Sequence, residues 1–106
     1  TYRKYRILAY TAGQYRAYQN LVNQKIYDMA LDSLISTIGR CEEYSSDAKE
    51  LGCEGEISDI QAKAEEALEA FKIDTKKALE VYDMKDRTAY SKEIYQILDD
   101  AGLSEE

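Results

Sequence analysis

Histidine, tryptophan and proline are absent from this 106-residue chain, phenylalanine occurs once, and glycine only five times. Without histidine there can be no Ser-His-Asp or Cys-His catalysis, no imidazole metal ligand and no imidazole pH switch. Without proline and with little glycine, few residues punctuate a helix. No apolar run approaches the roughly 20 residues that span a bilayer as a helix. No P-loop, GxGxxG, EF-hand loop or nucleophile elbow is present. No catalytic, cofactor-binding or metal-binding residue is therefore assigned, and an enzyme is not expected. The first residue is Thr1 rather than Met, so the chain is expected to be processed or excised, and a signal segment or an anchor could precede it.

What is abundant is tyrosine, with ten copies, and charge. Tyrosine offers a large contact area and a hydroxyl that tolerates water, so a tyrosine-rich core is partly wet or is an interface. The charge is unevenly placed. Residues 1–27 hold Arg3, Lys4, Arg6, Arg16 and Lys25 and no acid, while the remainder holds nine bases and all 21 acids, for a net −7. A basic head thus precedes an acidic body. The acids also occur as adjacent pairs, such as Glu42-Glu43 and Glu65-Glu66. Neighbours on a helix point about 100° apart, so these pairs are solvated faces rather than dyads.

The composition, rich in Ala, Leu, Glu, Lys and Gln, predicts an all-α fold in one domain. The most regular stretch is 57–82. Ile57, Ala64, Phe71 and Ala78 recur every seven residues, joined by Ile60, Ala67, Leu68 and Val81. This is the stripe of a helix buried along one side in a bundle or coiled coil. Ile57, Ile60, Ala64, Leu68, Phe71 and Ala78 are the candidate core, with Phe71 central because small neighbours leave room for its ring. Asp74 is the one charged residue on the stripe; it either fixes register against a base or reaches water at the stripe's edge. At the other end of the chain, Leu8, Ala12, Tyr15, Val22, Ile26 and Met29 recur at helical spacing, and the face continues through Leu31, Leu34, Ile35 and Ile38.

Together these patterns predict an elongated antiparallel hairpin with a shorter third helix, a coiled-coil-like bundle. Its elements are a long helix over about 2–40, a tip over about 41–55, a long helix over about 56–84 and a short one over about 88–101. Asp47 and Glu50 suit the cap of a short helix in the tip, Gly52 suits a left-handed stop, and Asp86 or Thr88 suits the cap of the last helix. Gly102 is expected to end that helix before an acidic tail, 103–106.

Two constellations carry the functional expectation. Cys41 and Cys53, at C-x11-C spacing on either side of the tip, are expected to form a disulfide worth about 3 kcal/mol. Such a bridge would imply an extracytoplasmic location. Two reduced thiols are the plainer alternative, and the spacing is poor for zinc. The second constellation is the basic, tyrosine-rich head: Tyr2, Arg3, Lys4, Tyr5, Arg6, Tyr10 and Arg16. Tyrosine with arginine suits protein contacts, single-stranded nucleic acid or a membrane surface. The acidic body of the same chain favours protein contacts. The expected function is that of a structural or interaction protein, a self-assembling helical subunit whose partner is itself or another helical protein. An extracytoplasmic helical sensor or adaptor domain of a membrane-anchored protein is the alternative, and a nucleic-acid-binding helical protein that uses the basic, tyrosine-rich head ranks third.

Overall fold

A computed structural model describes residues 2–103. Thr1 and residues 104–106 lie outside the described residues. Five α-helices follow in order: α1 (Tyr2–Asn23), α2 (Tyr27–Leu51), α3 (Glu54–Ala67), α4 (Thr75–Tyr82) and α5 (Arg87–Asp100). A 3-10 turn, Leu68–Phe71, extends α3. No strand occurs among the described residues.

The hub is α2, which touches α1, α3, α4 and α5. It is suited to this place because its apolar residues surround much of its circumference. Ala30, Leu31, Leu34, Ile35, Ile38, Cys41 and Ala48 are all buried, together with Thr37 and Gly39. The Thr37 hydroxyl donates to the Ser33 carbonyl at 2.8 Å, so burial leaves it satisfied. Gly39 admits α4: a Cβ there would lie 2.4 Å from the Tyr82 ring. The first helix buries a narrower stripe of Ile7, Thr11 and Tyr18, and Thr11 donates back to the Ile7 carbonyl at 2.9 Å.

Neither expected long helix is continuous. The first helix stops at Lys25, which takes φ 62°, so α1 folds back beside α2 rather than extending it. Arg3 consequently pairs with Asp47, and Tyr10 lies against Arg40 and Tyr44. Met29, expected on the buried face, is exposed because the break takes it out of phase. The second rod stops at Lys72, φ 58°. Asp74, the charged exception on the stripe, is the N-cap of α4, its carboxylate accepting the Lys77 amide at 2.8 Å. The expected tip does not exist either: α2 runs through Gly39 and the Tyr44–Asp47 segment to a stop at Gly52, φ 73°. Asp86 caps α5 by accepting from Thr88 and Ala89, and Gly102, φ 75°, ends it.

Two apolar clusters result. The larger gathers Leu31, Leu34, Ile35 and Ile38 of α2 with Leu68, Phe71, Ala78, Val81, Ile94, Ile97 and Leu98. The smaller holds Ile7, Cys41, Ala48, Cys53 and Ile57 toward the carboxyl end of α2. Of the candidate core, Ile57, Ala64, Leu68, Phe71 and Ala78 are buried, and Ile60 is half-buried against the smaller cluster.

Candidate interaction surfaces

The residues of the basic head share the amino-terminal half of α1. Tyr2 and Tyr5 are each 74% exposed and Tyr10 39%. Arg6 and Arg16 are exposed and Lys4 is half-buried. Arg3 reaches Asp47 of α2 at 3.3 Å. Arg3, Arg6, Ile7, Tyr44 and Asp47 border a shallow cleft of about 150 Å³. Tyr10 is held from both sides: the Arg40 guanidinium lies 5.1 Å from its ring centroid, and Tyr44 meets it edge-on at 6.4 Å. Arg40 also reaches Glu43 at 3.2 Å, while its Nε is buried without a partner. Burial pushes the neighbouring Tyr82 hydroxyl up to about 12, against the opposing pull of Arg40.

A second surface lies between α2 and α5, and sequence reasoning missed it. Asp28, Met29, Asp32, Arg87, Tyr90 and Tyr95 border a cleft of about 270 Å³. The Tyr90 hydroxyl donates to the Asp32 carboxylate, and Tyr95 reaches Asp28 at 3.5 Å. Burial, reinforced by the Asp32 bond, raises the Tyr90 pKa. The Arg87 guanidinium lies 5.4 Å from the Tyr90 ring centroid. Met29 and Tyr95 remain 56% and 58% exposed. The available signal was the Asp28–Asp32 spacing of one helical turn, together with a Tyr95 that falls off the apolar stripe of α5. Nothing in the chain's order of residues brings those two elements together.

No family model, no curated protein and no solved structure matches this chain. Its surfaces therefore carry the functional argument alone. Among the described residues no group of three or more potential metal ligands is gathered, and no helix is long and apolar enough to cross a membrane.

The expected bridge between Cys41 and Cys53 is not formed; both are buried free thiols. The register of α3 on α2 explains this. Cys53 follows the stop of α2, its amide bonded to the Ala48 carbonyl at 2.9 Å. Cys41 lies further back, level with the part of α3 where Gln61 bonds Glu42 and where the Glu65 charge is felt. Residues 61–65 stand about 12–18 Å along α3 from Cys53, while a disulfide needs a Cα separation of about 4.4–6.8 Å. Because α2 continues through the expected tip, the cysteines sit at different levels of one helix pair. The ground for expecting an extracytoplasmic location goes with the bridge.

Proposed function

We propose that this chain is a helical interaction module that self-associates through the amino-terminal half of α1. The observation that carries the reading is the exposure of Tyr2 and Tyr5 beside Arg3 and Arg6, on a helix without a single acid. Exposed aromatic patches mark contact surfaces, and tyrosine with arginine dominates interface energetics. The rest of the chain is strongly acidic, so another copy offers the complementary charge. The role is binding rather than catalysis: both thiols are buried, and no imidazole exists to activate a hydroxyl.

Sedimentation velocity over a concentration series, at low and at high salt, tests this. Self-association that weakens with salt is expected, and a variant with Arg3, Lys4 and Arg6 changed to Glu should sediment as a monomer. A parent that stays monomeric at high concentration and low salt overturns the proposal.

A further inference from the structure

Among the described residues the large exposed apolar side chains are Tyr2, Tyr5, Tyr10, Met29 and Tyr95. They fall into two groups. The tyrosines belong to the basic amino-terminal half of α1. Met29 and Tyr95 flank the α2–α5 cleft that also holds the Asp28 and Asp32 carboxylates. The first group starts α1, and the cleft follows the turn that ends it, so the end of α1 lies about 33 Å from Tyr2 and about 20 Å from Tyr10 along the helix. The long axis of the molecule measures 46 Å. One copy cannot bring its own two patches together.

We infer that the α2–α5 cleft is the receptor for the α1 head of a second copy, so that copies join head to tail. This rests on the self-association reading above and names its second surface. The chemistry of the two patches is matched. The head brings tyrosine rings and guanidinium groups with no acid on their helix. The cleft brings two carboxylates against one base, Arg87, with an exposed thioether and an exposed ring beside them. The cleft already stacks one guanidinium on a ring, Arg87 on Tyr90, and an arginine of the incoming head meets the same kind of surface at Tyr95. Asp28 and Asp32 supply acceptors for it. A contact between two different patches is heterologous. Each copy keeps one free head and one free cleft, so the product is a ring or an open filament rather than a closed pair.

Two variants at exposed positions test the assignment. The head variant carries Tyr5→Glu and Arg6→Glu, and the cleft variant carries Asp28→Lys and Met29→Lys. Circular dichroism and the thermal midpoint establish that each folds as the parent does. By sedimentation at low salt, each variant alone is expected to associate at least roughly tenfold more weakly than the parent, since like charges now face each other. An equimolar mixture of the two is expected to regain association, because the head variant keeps an intact cleft and the cleft variant an intact head. If the cleft variant associates like the parent while the head variant does not, the cleft is not the receptor, although self-association through α1 stands. Failure of the mixture to regain association likewise overturns the pairing. A parent that is monomeric under these conditions removes the self-association reading and the pairing with it.

Discussion

Two helix stops in this protein place glycine at the left-handed position, Gly52 and Gly102, and two place lysine, Lys25 and Lys72. The hydrogen bonding is the same at all of them. The left-handed residue donates to a carbonyl three residues back, and the next residue to one five back: Lys25 to Val22 and Ile26 to Leu21, Gly52 to Lys49 and Cys53 to Ala48, Lys72 to Glu69 and Ile73 to Leu68, Gly102 to Asp99 and Leu103 to Leu98. This is the Schellman motif, and each instance has an apolar residue, Ile26, Cys53, Ile73 or Leu103, just behind it. The difference lies in what selects the conformation. Glycine reaches positive φ without a Cβ penalty, whereas lysine gives up about 1–2 kcal/mol. A lysine stop must therefore be imposed from outside the helix.

At Lys72 the imposing force is visible. Phe71 is buried and Ile73 packs against the same core cluster. In a continuous helix two residues at that spacing point about 200° apart, so both reach one core only if the helix ends between them. At Lys25 the same logic turns the chain so that Leu21, Val22 and Tyr27 all pack against the larger cluster.

Several measurements can break or sharpen this comparison. The largest effect is expected from Phe71→Ala, which removes the only Phe from a fully buried site next to a lysine stop. Denaturant titration should show a loss of about 3–5 kcal/mol; a loss below about 1 kcal/mol would mean that core packing does not hold that stop.

Next comes Gly52→Ala, which introduces a Cβ at φ 73° and should destabilise by about 1 kcal/mol on the same titration. The lysine stops should respond in the opposite sense. Lys25→Gly and Lys72→Gly relieve the Cβ penalty and should each stabilise by about 0.5–1 kcal/mol, the gain being trimmed by the greater freedom of glycine when unfolded. If they destabilise instead, the lysine side chains contribute contacts that outweigh the backbone cost.

The smallest effect at neutral pH concerns the two buried thiols, Cys53 next to the Gly52 stop and Cys41 further back on α2. Neither Cys41 nor Cys53 should react with iodoacetamide in the native protein, and both should do so after unfolding without reductant, as read by intact mass. Burial, with smaller contributions from Glu65 and Glu42, pushes Cys41 up to about 11 from its ordinary 9.0. The folded state thus favours the protonated thiol. This contribution is fully present below pH about 9 and is lost as pH rises through about 11. The thermal midpoint should fall over that interval, and Cys41→Ala should lessen the fall.

Much of the fold was legible in the residues. The helical class followed from composition. Residues 57, 64, 71 and 78 are all buried at the expected seven-residue spacing. Gly52 and Gly102 stop helices through their freedom at positive φ and Asp86 caps one through its carboxylate; both effects are local, and so readable from the chain alone.

What the sequence by itself determined, then, is the helical class, the apolar stripe through Ile57, Ala64, Phe71 and Ala78, and the local punctuation at Gly52, Asp86 and Gly102. Each of these depends on interactions within a few residues. Tertiary structure decided the rest. It placed stops at Lys25 and Lys72, because only a shared core can outweigh the backbone cost of a lysine at positive φ. It made Asp74 a cap rather than a flaw in a continuous stripe. It set Cys41 and Cys53 at different levels, because their separation depends on how far α2 runs before turning. It assembled the α2–α5 cleft from residues as distant as Asp28 and Tyr95, which no local pattern links and only packing brings within reach.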